Sequence, residues 1–120
     1  MPHLTLEYTD NLPQFDAAGT LQALNEALVA SGHFDEIDIK SRAVRLDTFL
    51  VGTAHAGRGF ASVRLAILSG RPTEVKQALS ASLLHVLKQR PGSPAGMHVQ
   101  LCVEILEIDR ETYAKASLAP

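Results

Sequence analysis

Pro2 is the first candidate for chemistry. It follows Met1, and a small penultimate residue permits removal of the initiator, which would leave a secondary amine on a rigid ring at the chain's start. A chain-terminal amine titrates near about 7.7–8.0, and burial or nearby cations lower that value. Such an amine is a general base at neutral pH and can return the same proton as its conjugate acid, which a proton-shifting isomerase requires. The anion-binding candidates are basic. Arg71 stands in the turn Ser69-Gly70-Arg71-Pro72, and Lys40 and Arg42 share strand parity, so they face together unless a bulge falls between them. A guanidinium offers a planar fork to a carboxylate or a 2-oxo acid; Lys40 offers charge without that fork. His3 adjoins the proline, and Phe49 and Phe60 are candidate walls that would desolvate it. Glu7, Arg45 and Arg64 read as members of ion pairs or a solvated face.

Other reactive types lack a partner pattern. His33, His55, His85 and His98 have no metal-ligand spacing, and Cys102 has no nucleophile motif around it. Gly57-Arg58-Gly59 lacks the spacing and the Lys-Ser/Thr ending of a phosphate loop. No metal site is expected from these residues.

Placing Pro2 and the cations together requires strands that end near them. Leu4, Leu6 and Tyr8 alternate with Thr5, Glu7 and Thr9, the pattern of a strand with one buried face. Ala17, Leu21, Leu24 and Leu28 then recur at helical spacing, predicting a helix over about residues 16–31 that Ser31-Gly32 closes. From Ile37 to Val51 the composition favours strand, but the apolar phase slips between Ile37/Ile39 and Val44/Leu46. That slip predicts a bulge or a change of neighbour near Ser41 to Ala43. His55 to Gly59 reads as a loop, and Val63, Leu65 and Ile67 share one face of a third strand. Pro72-Thr73-Glu74 opens a second helix with Val75, Leu79, Leu83 and Val86 on its stripe, and Pro91-Gly92-Ser93-Pro94 stops it. Met97 to Ile105 alternates as a long last strand, followed by a polar tail containing Asp109 to Lys115.

The order β-α-β occurs twice with an offset of roughly sixty positions, so residues 1–120 read as one domain of two pseudo-repeats, about 2–52 and 58–109. The expected fold is α+β: a four-stranded mixed sheet with both helices on one face. The other face would stay bare. If as apolar as its strands suggest, it calls for self-association, because the chain is too short to supply a third layer.

Composition sets the outer limits. At 120 residues a core is possible, but a deep cavity within one subunit is hard to build. Eleven Lys+Arg against thirteen Asp+Glu give a net charge of -2, which argues against a nucleic-acid binder with a broad basic surface. No stretch nears the ~18 apolar residues of a membrane span, and neither a basic segment nor an apolar run marks a secretory signal. A single cysteine suits a reducing compartment, so the cytoplasm is the expected location.

The block Pro2-His3-Leu4-Thr5-Leu6-Glu7-Tyr8-Thr9-Asp10-Asn11-Leu12, with Ile39-Lys40-Ser41-Arg42, Asp47-Thr48-Phe49 and Gly70-Arg71, resembles the 5-carboxymethyl-2-hydroxymuconate Δ-isomerase family of the tautomerase superfamily. The resemblance covers Pro2 to about residue 108, and the N-terminal block is its specific part. It implies a cofactor-independent homotrimer whose N-terminal proline is the catalytic base and whose substrate is a small anionic dienol carrying two or three carboxylates. The family's reaction converts a 2-hydroxymuconate dienol to its unsaturated 2-oxo isomer in homoprotocatechuate breakdown. Arg71 matches a family arginine, assigning it and Pro2 to catalysis; Arg42, Lys40, His3 and Phe49 fall to substrate binding. Where the family carries Arg-Ser-Arg, this chain reads Lys40-Ser41-Arg42. That departure keeps open a tautomerase of a different 2-oxo or unsaturated acid; the alternative of a different class is a non-catalytic trimeric binding module of the same fold.

Overall fold

The computed structural model describes residues 1–92 and 94–120; Ser93, within the expected Pro91–Pro94 helix stop, lies outside the described residues. The elements in chain order are β1 (His3–Thr9), α1 (Ala17–Ala30), a 3₁₀ turn (Glu36–Asp38), β2 (Lys40–Leu46), β3 (Arg58–Leu68), α2 (Thr73–Lys88) and β4 (His98–Ile108). The sheet order is β2-β1-β3-β4. β1 runs parallel to β2 and antiparallel to β3, and β3 runs parallel to β4, so the sheet is mixed, as expected.

One face of the sheet makes the core. Register places Leu4 against Leu65 and Leu6 against Val63, and all four are fully buried. On the same side Leu24 and Leu28 of α1 and Leu79, Leu83 and Leu87 of α2, each spaced by four, present their stripes to the sheet. The Asp16 carboxylate caps α1 by accepting from the Gly19 N–H at 2.9 Å. Pro72 precedes α2 without a side-chain cap, and His85 and Lys88 in its last turn favourably meet the negative end of the helix dipole.

Two expectations need correction. β2 pairs with β1 without interruption from His3↔Lys40 to Thr9↔Leu46, so there is no bulge near Ser41 to Ala43. The apolar phase slips because Ile37 belongs to the 3₁₀ turn, where it is 85% exposed, and Ile39 lies at that turn's exit, outside the strand. Beyond Leu46 the β-rich stretch makes only an isolated bridge, Val51↔Ala54, while Arg58 and Gly59, read as loop, already belong to β3.

The second correction concerns the uncovered face, which is not broadly apolar. Register puts His3, Thr5, Glu7, Lys40, Arg42, Ser62, Arg64, Cys102 and Glu104 there, with Val44 and Leu106 as its exposed apolar residues. Arg64 bridges Glu104 at 2.7 Å and Glu7 at 3.6 Å, so Glu7 is a structural ion-pair partner. Self-association through this face must therefore accommodate charge as well as bury apolar area.

Leu65 is fully buried in central strand β3, between β1 and β4. Leu65→Ala should lower unfolding free energy by about 2–5 kcal/mol in urea titrations; a change below about 1 kcal/mol would show that this position is not core.

Candidate active site

The sheet has two ends, and its register decides which residues each one holds. His3 opens β1 opposite Lys40, the first residue of β2, and opposite Ala66 near the end of β3. Ala66 in turn faces Leu106, near the end of β4. The N-terminus, the start of β2, the β3–α2 turn and the segment after β4 therefore converge at one end. The far end holds Thr9, Leu46 and the start of β3.

Pro2 is fully buried, and its carbonyl accepts the Lys40 N–H at 3.1 Å, which extends the β1–β2 ladder to the chain's start. Beside it Met1, Phe34, Asp38, Ile67, Arg71 and Arg110 line part of a cavity of about 310 Å³. Gly70, at φ 116°, turns the chain out of β3 through a conformation that side-chain-bearing residues rarely adopt, delivering Arg71 to this wall. The Arg71 guanidinium is then fixed twice: it stacks 4.9 Å from the Phe34 ring centroid and donates to the His33 carbonyl at 3.1 Å. Arg110 donates through Nε to the Ser69 carbonyl at 3.0 Å, tying the end of β4 to the same turn.

Lys40 directs its ammonium to the Asp38 carbonyl and lines an adjoining cavity of about 410 Å³ with Tyr113 and Lys115. Arg42, two residues along on the open face, donates to the Thr5 hydroxyl at 3.3 Å. Burial holds the Met1 amine, one residue ahead of Pro2, below the ordinary range; Asp38 opposes the shift, and Lys40, Lys115 and Arg71 reinforce it. His3 is likewise held low, first by burial and then by Lys40, Arg42 and the N-terminal ammonium.

Pro2, His3, Lys40 and Arg71 thus gather at one end, with Arg42 just along β2. Phe49 does not join them within the chain. It packs edge-on against Phe60 at 6.4 Å between centroids, and the Phe60 N–H donates to the Thr9 hydroxyl at 3.1 Å. Phe49 and Phe60 therefore belong to the far end, about 20 Å from Pro2 along β1. The C-terminal tail brings residues that sequence reasoning did not assign. Tyr113 hydroxyl lies 2.9 Å from His3 Nε2, and Lys115 Nζ donates to Asp38 Oδ1 at 2.7 Å. No local pattern marks them, since they act across 110 and 77 positions.

Among the described residues no group of three or more His, Cys, Asp or Glu is placed to hold a metal. No described helix is long and apolar enough to cross a membrane.

The family model for 5-carboxymethyl-2-hydroxymuconate isomerase matches residues 2–119. The chain belongs to that family. It is accordingly an isomerase of the tautomerase superfamily. A crystal structure of a 5-carboxymethyl-2-hydroxymuconate isomerase from Deinococcus radiodurans R1 superposes with a TM-score of 0.83 at 35% identity, covering 98% of this chain and 90% of that one. The 5-carboxymethyl-2-hydroxymuconate Delta-isomerase of Escherichia coli is 29% identical over 89 residues, 73% of this chain and 71% of the relative. A fused 4-OT symmetric trimer shares the fold at 20% identity, with a TM-score of 0.72 over 95% of this chain and 91% of that one.

The lowered His3 titration has a definite sign. The folded chain binds this proton less readily than the unfolded chain, so the contribution to stability is full above the ordinary imidazole value and falls away as pH drops through the folded value. In ¹H NMR the His3 ring should titrate below the ordinary imidazole value of about 6.5; a midpoint above it would contradict this electrostatic picture.

Proposed function

We propose that the chain isomerises an unsaturated 2-hydroxy acid to its 2-oxo isomer, with the free amine of Pro2 as general acid and base. The observation that carries this reading is the convergence of buried Pro2, and of the Met1 amine ahead of it that burial and cations hold low, with the cations Lys40 and Arg71 at one end of the sheet. The amine takes the proton of the 2-hydroxyl as the C–O bond becomes a carbonyl and the conjugated double bonds shift. The resulting ammonium returns the proton to a carbon of the same system, so the reaction neither gains nor loses atoms. Negative charge builds on the emerging 2-oxo group and its carboxylate, where Arg71 supplies a preorganised guanidinium. Lys40 and Arg42 serve the remaining carboxylates, and His3 packs beside the base.

The substrate that family membership favours is 5-carboxymethyl-2-hydroxymuconate, from homoprotocatechuate breakdown in the cytoplasm. A homotrimer fits both the trimeric assembly of the fused 4-OT protein and the exposed Val44 and Leu106 on the open sheet face. In such an assembly Phe49 would serve a neighbouring subunit's pocket rather than its own. Lys40 favours a second reading within the same chemistry: a point charge in place of a fork admits a different 2-oxo acid. A spectrophotometric screen of 2-hydroxymuconates and phenylenolpyruvate separates the two, because ketonisation changes ultraviolet absorbance.

With the preferred dienol, Pro2→Ala should lower kcat by about 10² or more, because it replaces the secondary amine with a poorly fitting primary one. Unchanged turnover would remove Pro2 from the mechanism. Arg71→Ala should reduce kcat/KM by about 10²; wild-type values of both kcat and KM would remove Arg71 from the site.

A further inference from the structure

The tail after β4 makes two contacts that the proposed reaction does not use. Tyr113 meets His3, the neighbour of Pro2, and Lys115 pairs with Asp38, which lines the same cavity as the N-terminal residue. Asp38 has a local reason to stand there, since it completes the 3₁₀ turn with its N–H donating to the Asp35 carbonyl at 3.0 Å. A carboxylate in that place is a problem for a base: left alone, it stabilises the protonated amine. Lys40 does not answer it directly, because its ammonium goes to the Asp38 main-chain carbonyl. Lys115 does, through a 2.7 Å bond to the carboxylate itself. The two side chains are 35% and 27% exposed, so solvent and salt screen the pair less than a fully exposed one.

We propose that Lys115 is a positioning residue for the Pro2 base: by pairing with Asp38 it neutralises the carboxylate that lines the cavity at the chain's start, and so favours the unprotonated form of the base. The inference rests on reading Pro2 as the base and deepens it. The charged groups acting on the amine of Met1, the residue ahead of Pro2, are Asp38 from the 3₁₀ turn, Lys40 from β2, Arg71 from the β3–α2 turn and Lys115 from the tail. His33, Asp35 and Arg110 complete the charged and titratable lining of the cavity, and His3 follows the proline. Asp38 favours the protonated Met1 amine and Lys40, Lys115 and Arg71 disfavour it; the same groups surround the amine of Pro2 once Met1 is removed, so removing Lys115 takes away one opposing charge and also frees the Asp38 charge. Lys115 touches neither substrate nor reacting atom in this role.

The test is a pair of titrations on the mature chain labelled with ¹⁵N-proline. Pro2 amine protonation is followed by ¹⁵N NMR, and kcat/KM for the dienol is measured across pH. Lys115→Met should move the amine midpoint upward and lower kcat/KM about threefold or more near about pH 6, while the plateau at high pH is kept. Lys115→Arg should restore the wild-type profile. Asp38→Asn should move the midpoint down, and adding Lys115→Met to it should produce a clearly smaller upward move than in the wild-type background. An unmoved midpoint in Lys115→Met overturns the proposal, as does a move undiminished when residue 38 is already neutral. The NMR arm needs no turnover. If it shows the expected moves while no dienol is isomerised, the proposed function fails and the role of Lys115 in setting the amine stands.

Discussion

The site depends on the first residues of the chain being a central strand. β1 pairs with β2 on one side and β3 on the other, and the Lys40 N–H extends that pairing to the Pro2 carbonyl. Chain termini usually fray, because few contacts repay the entropy of ordering them. Here Leu4 and Leu6 are fully buried within the core, so ordering the terminus is inseparable from folding. An N-terminal amine becomes a usable catalytic group only when held in this way; on a mobile terminus it would be solvated and randomly placed.

The same register explains why cations collect around it. In a β-α-β-β-α-β chain, the start of β1, the start of β2 and the ends of β3 and β4 fall at one edge of the sheet. Lys40, Arg71, Arg110 and, through the tail, Lys115 are therefore neighbours although they lie far apart in sequence. A chain with a net charge of -2 thereby concentrates positive charge at one end of its sheet. Burial and cations act on the Met1 amine in the same direction, while Asp38 acts against them. A net-acidic composition and a cationic cluster are compatible because the local field is set by a handful of side chains.

Much of this was legible in the sequence, and the remainder failed for identifiable reasons. Alternation in Leu4–Leu6–Tyr8 and the four-residue spacing of Leu24–Leu28 and Leu79–Leu83 specify their elements directly, because one buried face fixes one period. The α1 reading of about 16–31 lies within a residue of the observed Ala17–Ala30 at each end. The slip after Ile39 misled because apolar residues in a 3₁₀ turn mimic a strand out of phase. The bare face misled because its charged residues alternate with the core Leu and Val positions, which dominate the eye. Phe49 has a motif but no local signal of distance, and only the register reveals that it lies at the opposite end from Pro2. Tyr113 and Lys115 carry no periodicity at all; their partners are fixed by the path of the tail after Asp109 turns it, where the Thr112 N–H donates to the Asp109 carbonyl at 3.2 Å.

The central claim is that a free secondary amine at Pro2 performs the proton transfer. Its most direct measurement compares turnover of two preparations verified by intact mass: the chain beginning at Pro2, and the same chain with one residue retained ahead of it. The account predicts that the extended chain loses isomerase turnover by about 10² or more, with thermal unfolding and assembly unchanged. Equal turnover by both preparations would contradict it.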